Sequence, residues 1–332
     1  MDKVQTLPTE VRAQIPPTIQ AFLQLHKDPE RRSILEATAS KRQTHRYGPD
    51  IRQNLDVYHA QLDSSADYKP PILVFLYGGG LVSGSRVMPI SDGLVYTNLG
   101  HYFATRGITV VIPDYRLVLP PARGDVPEGM APKAEVGSAA VYPSGAVDVQ
   151  LAYRWIVEHL GDVANISRIH LSGTSGGGSH CAAYVFNPDF FLKEDSEVRA
   201  KLRSLIMLSG PVDLEEAVEE RWPVLEAYYG SDRAEVARRT TAGLIAALTE
   251  VQVAQLPPTL SLIGGLDPPD EVIRPNERFW PIWTAKGGRG KFDWLLESNG
   301  RKHNHISYFY ALSSGEGEEW AAQIIEWIEQ LA

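Results

Sequence analysis

Ile169-His170-Leu171-Ser172-Gly173-Thr174-Ser175-Gly176-Gly177-Gly178-Ser179-His180 is the stretch whose reading decides the fold. An apolar start, a tight glycine turn and a run of small residues predict a short strand, a sharp reversal and a helix start. Within it, Gly173-Thr174-Ser175-Gly176-Gly177 fits the G-x-S-x-G nucleophile elbow, where strained backbone lifts the serine hydroxyl clear of the strand end. Glycines on either side leave room for that turn. The helix start adds backbone N–H groups without intrahelical acceptors, close to where an oxyanion would form. Ser175 is therefore the candidate nucleophile. The bland alternative is a bystander serine in a glycine-rich turn.

Working outward, continuous apolar runs predict buried strands at 72–77, 108–112, 168–171, 204–209 and 259–263. A further strand is expected at 292–296, and Asn54–Tyr58 alternates like an edge strand. Between them, helices are expected over about 92–106, 144–160 (with Ser144 as N-cap) and 316–331. Strands alternating with helices imply a mostly parallel sheet of about eight strands with helices on both faces. Residues 1–46 read as a polar helical arm, with Val11, Ile15, Ile19, Phe22 and Leu23 near helical spacing. Residues 211–255 read as a helical insertion. The first is either a packed arm or part of a lid, and the second is the best candidate for an inserted cap on a core spanning 47–332. Residues 119–142, rich in Pro, Gly and Ala, read as a long loop that either covers the pocket or faces solvent.

The bulk numbers narrow the partners. At 332 residues, 43% hydrophobic and 22% charged, the chain can bury a large α/β core. A net charge of −9 argues against a nucleic-acid groove or an anionic membrane surface. The lone cysteine, Cys181, excludes an internal disulfide, suits a reducing compartment, and reads as a buried small residue. With no signal-like start and no membrane-length apolar run, a cytoplasmic protein is expected. Oligomeric state is unreadable, a homodimer being one option.

A serine hydroxyl needs a base, usually a histidine oriented by a buried carboxylate. On a sheet of this kind the acid and then the base follow the nucleophile in chain order. Asp267, in Gly264-Gly265-Leu266-Asp267-Pro268-Pro269-Asp270, directly follows a strand and is the preferred acid, with Asp270 in reserve. His305, in Lys302-His303-Asn304-His305-Ile306, is the preferred base, and His303 competes with it. A metal clip at these histidines lacks further ligands, so neither metal nor cofactor is expected. Oxyanion donors are expected from the amides of Gly176, Gly79 and Gly80.

These signals together resemble the hormone-sensitive-lipase-like branch of the α/β-hydrolases, which includes plant carboxylesterases and bacterial esterases. Tyr77-Gly78-Gly79-Gly80 is similar to that branch's His-Gly-Gly-Gly loop. Asp114-Tyr115-Arg116-Leu117, Tyr142-Pro143 with Asp148, the elbow, Asp267-Pro268 and His305 match further segments, from about residue 54 to the C-terminus. The resemblance implies the α/β-hydrolase fold, a helical cap made by residues 1–46 and 211–255, and a serine hydrolase acting on carboxylic esters, with no cofactor. It departs at Tyr77, which either anchors the glycine loop or points at the substrate. Tyr77, Trp222 and Tyr229 are thus the candidate substrate contacts, against plain packing for the aromatics. The expected function is cleavage of an ester of a small, apolar molecule through an acyl-enzyme. The rivals are an arylformamidase-like amidase, a non-hydrolytic small-molecule receptor, and a lyase or transferase on the same scaffold.

Overall fold

The computed structural model describes residues 1–23, 27–62, 68–119, 137–297 and 299–332. Eight strands form one sheet: β1 (Gln43–Arg46), β2 (Asn54–Tyr58), β3 (Ile72–Leu76), β4 (Thr109–Pro113), β5 (Ile169–Thr174), β6 (Leu202–Leu208), β7 (Thr259–Ile263) and β8 (Gly290–Trp294). Their spatial order is β1-β2-β4-β3-β5-β6-β7-β8. β2 runs antiparallel to both neighbours, and the pairs from β4 through to β8 are parallel. The apolar runs become the central strands because helices cover both faces and every residue of β3, β4, β5 and β7 is buried.

Two expectations change at the margins. Asn54–Tyr58 is not the edge strand: β1 pairs outside it, in register from Gln43↔Val57 to Arg46↔Asn54. The sheet thus begins inside the stretch read as a helical arm. Ser144 does not cap its helix. Pro143 holds the cap position, while the Ser144 amide donates to Val141 O at 2.7 Å. The loop read at 119–142 falls mostly on 120–136, outside the described residues.

One large apolar core surrounds the sheet, and a second, smaller cluster joins Trp222, Val224, Leu225, Tyr228 and Tyr229 to Leu81. The 211–255 segment therefore packs its aromatic face onto the chain leaving β3. Because β3 to β8 are parallel, their C-terminal ends share one edge of the sheet. The residues following β3, β5, β6, β7 and β8 meet there.

Candidate active site

Ser175 joins β5 to the helix Gly176–Phe186 with φ +51° and ψ −126°, a conformation rare for a residue with a side chain. The glycines make this possible. A Cβ on Gly177 would lie 2.4 Å from the carbonyl oxygens of Leu76 and Tyr77. The turn can therefore press directly against the end of β3, and Ser175 Oγ projects from the sheet edge.

His305 follows β8 and points back at the elbow. Its Nε2 lies 2.9 Å from Ser175 Oγ, and its Nδ1 lies 2.7 Å from Asp267 Oδ1. Asp267 is fully buried, yet both its oxygens are occupied. Oδ2 accepts from Ser209 Oγ and from the Gly264 amide, each at 2.6 Å. With Nδ1–H donated to Asp267, Nε2 is left as the acceptor for the serine proton. The structure thus brings Ser175, His305 and Asp267 into one chain of hydrogen bonds.

The competing residues lie elsewhere. His303 is buried with Nδ1 on Ser307 Oγ at 3.1 Å, and burial pushes its pKa down to about 3. Asp270 pairs with Arg274 at the surface. Among the described residues no cluster of His, Cys, Asp or Glu could hold a metal ion. Cys181 is buried, with its thiol directed at Ser172 O.

Gly79, Gly80 and Gly176 lie together on one wall of a cavity of about 600 Å³ that opens onto Ser175 and His305. Gly79 has φ +145°, and a Cβ there would sit 2.1 Å from Ser83 O. A Cβ on Gly176 would lie 3.6 Å from the Gly80 nitrogen, so the elbow and loop amides converge. Among the described residues, none of these three amides donates to a backbone acceptor. They are free to bind an anionic oxygen.

Of the three aromatics expected to touch substrate, Tyr229 lines this cavity and the other two do not. Tyr77 is fully buried behind the glycine loop, stacked on Tyr115 at 4.8 Å. Its hydroxyl donates to Asp114 Oδ1 at 2.7 Å and accepts from Arg52 Nη2 at 2.9 Å. Burial and the Asp114 carboxylate push the phenol well above its ordinary pKa, so it stays a neutral donor. Trp222 packs into the smaller cluster with the Arg233 guanidinium 4.0 Å over its ring. Ile15, Ile19, Val224 and Leu225 contribute to the apolar lining.

Three residues at the site went unread in the sequence. Ser209 donates to Asp267, and its one local signal was its place directly after the apolar run of β6. Arg221 and Glu271 pair across the cavity wall at 2.9 Å, and no local pattern marks them.

No protein-family model matches the chain, and no curated protein matches it. Solved structures do. Esterase B from Lactobacillus Rhamnosis is 16% identical with a TM-score of 0.61, over 94% of this chain and 96% of that one. An esterase from Thermogutta terrifontis, Est2, is 19% identical with a TM-score of 0.61, over 88% and 92%. Esterase Est22 is 19% identical with a TM-score of 0.61, over 94% and 91%. Esterase B has also been solved inhibited by a tributyrin phosphonate. At these identities the likeness defines the fold: this chain has the α/β-hydrolase fold.

Proposed function

We propose that this chain is a serine esterase, cleaving a carboxylic ester of a small, apolar molecule through an acyl-enzyme. The observation that carries the reading is His305, set between Ser175 Oγ at 2.9 Å and Asp267 Oδ1 at 2.7 Å. In this reading Ser175 Oγ attacks the acyl carbon while His305 Nε2 takes its proton. The amides of Gly79, Gly80 and Gly176 receive the negative oxygen of the tetrahedral intermediate. The His305 imidazolium, held by Asp267, gives its proton to the departing alcohol. Water, deprotonated by the same histidine, then releases the acid and restores the serine.

The apolar cavity wall supports a hydrocarbon acyl or alcohol group, and the esterase neighbours support ester over other substrates. We assign the chain to the hormone-sensitive-lipase-like branch on its glycine loop, elbow and acid turn. The helical arm, which ends near residue 41 before β1, and the 211–255 insertion act as a cap, since Ile15, Ile19, Val224, Leu225 and Tyr229 all face the cavity. Among the described residues no helix is long and apolar enough to cross a membrane. The lone, buried Cys181 supports a cytoplasmic setting.

Replacing Ser175 by Ala tests the reading with a short-chain p-nitrophenyl ester and a phosphonate probe. The parent should hydrolyse the ester and be labelled once per chain. The variant should lose at least about a thousandfold in kcat and all labelling. A variant that keeps the parent's rate sinks the assignment.

A further inference from the structure

The helix Val11–Phe22 touches the site on two faces. On one face Gln14 and Thr18, spaced four residues apart, are both fully buried. Gln14 Oε1 accepts from the His305 backbone amide at 2.8 Å. Its Nε2 donates to Leu266 O at 3.4 Å and to Pro8 O at 3.3 Å. One amide side chain therefore spans the backbone of the histidine and the residue immediately before Asp267. Thr18 Oγ1 accepts from Asn304 Nδ2 at 2.7 Å. Asn304 Oδ1 in turn accepts from the Ser307 amide at 2.9 Å, closing the turn that carries His305.

On the other face Ile15 and Ile19, again four residues apart, line the substrate cavity. A rigid helix carries side chains at this spacing as two adjacent stripes. Pro16 and Pro17 lie inside it, so two backbone N–H donors are missing. A short helix with that deficit depends on its docking contacts for order. Its docking contacts include the histidine loop, the cavity wall and Phe22 stacked on Tyr310.

We propose that Gln14 and Thr18 are positioning residues: through them the N-terminal helix holds the His305 loop in register with Ser175 and Asp267. The same helix meets the substrate through Ile15 and Ile19, so seating an acyl or alcohol group against them also seats the base. This rests on the esterase reading above. The loop backbone is not held by its own strand, because His305 lies eleven residues beyond the end of β8. The bridge between Leu266 and Asn304 fixes one side of that loop, and the N-terminal helix supplies the other.

The test uses the full chain with p-nitrophenyl butyrate, and kcat is normalised to the sites titrated by a phosphonate. Gln14→Met keeps the shape and removes all three side-chain hydrogen bonds. It should lower kcat roughly tenfold, equivalent to about 1.4 kcal/mol, with KM within about twofold. Thr18→Val should lower kcat by roughly threefold, and Thr18→Ser, which keeps the acceptor, should restore it. Loss of folded protein alone would change the titrated fraction and leave normalised kcat in place. Normalised kcat within twofold of the parent in both Gln14→Met and Thr18→Val overturns the proposal, as does a change confined to KM. If Gln14→Met does not fold, the Thr18 pair decides by itself. A parent that neither hydrolyses the ester nor takes the phosphonate overturns the esterase reading. An active parent, an inactive Ser175→Ala and normal helix variants overturn only the positioning role.

Discussion

Replacing Tyr77 by Phe separates the two roles that its position beside the glycine loop allows. The ring keeps its place, packed on Tyr115 at 4.8 Å and Tyr96 at 5.6 Å, and only the hydroxyl is lost. That hydroxyl donates to the Asp114 carboxylate and accepts from the Arg52 guanidinium. Hydrogen bonds to charged groups contribute about 1.5–3 kcal/mol each. Neither partner is left bare, which selects the lower end. Asp114 Oδ1 still accepts from the Arg86 amide at 2.6 Å, and Arg52 still donates to Gly84 O at 3.0 Å and Tyr115 O at 2.7 Å. The expected loss is about 3 kcal/mol in total. Scaled to 332 residues, the unfolding entropy is about 0.7 kcal/mol/K, so Tm should fall by roughly 4 °C. Urea denaturation and a thermal scan measure the loss, and ester kinetics run beside them. KM should not move, because the hydroxyl is away from the cavity. The rate kcat should drop a few-fold, because the glycine loop proposed to hold the oxyanion starts at the next residue. A variant as stable as the parent, with KM raised several-fold, would refute the reasoning and return the hydroxyl to the substrate.

Two further outcomes follow from groups around the site and in the core. Ser209→Ala takes one of the two donors from Asp267 Oδ2 and leaves the Gly264 amide in place. It should lower kcat roughly five- to tenfold with KM little changed, and unchanged kcat would remove Ser209 from the acid's support. His170, His180 and His303 are each held neutral, with pKa lowered from 6.5 to about 3, and burial is the first cause in each. Arg116 adds to it at His180, and Arg168 and Arg203 add to it at His170. The unfolded chain then binds more protons than the folded one between pH 6.5 and 3. Stability is complete above pH 6.5 and is lost as pH falls toward 3, with a slope approaching about 4 kcal/mol per pH unit. Denaturant midpoints at pH 7, 6 and 5 check this, and a flat series contradicts it. His170→Gln should reduce the slope by about a third.

What the sequence made legible divides along a physical line. The central strands were readable because burial on both faces demands unbroken apolar runs, as in Ile72–Leu76 and Thr259–Ile263. The elbow was readable because backbone strain at Ser175 can be met only by small neighbours at fixed offsets. By contrast, β1 is Gln43-Thr44-His45-Arg46, with no apolar residue. It is a strand because β2 offers it unpaired backbone groups, and one of its contacts is Thr44 Oγ1 on the buried Asp56 at 2.6 Å. Nothing local to residues 43–46 carries that information.

Tyr77 shows the same limit inside a motif. Its neighbours place it at the end of β3 but do not say which way its hydroxyl points. That direction is fixed by Arg52, twenty-five residues earlier, and by Asp114, thirty-seven residues later. Together they offer a donor and a carboxylate in a buried pocket that a neutral phenol satisfies. The pocket also explains why a histidine is not simply interchangeable here. An imidazole is shorter, and with Arg52 and Arg86 both turned toward Asp114 it would meet two cations across one carboxylate. The residue at 77 and the arginines at 52 and 86 therefore form one unit. Putting histidine at 77 should lower stability more than putting phenylalanine there, because it places a titratable ring beside two guanidinium groups that share the Asp114 carboxylate.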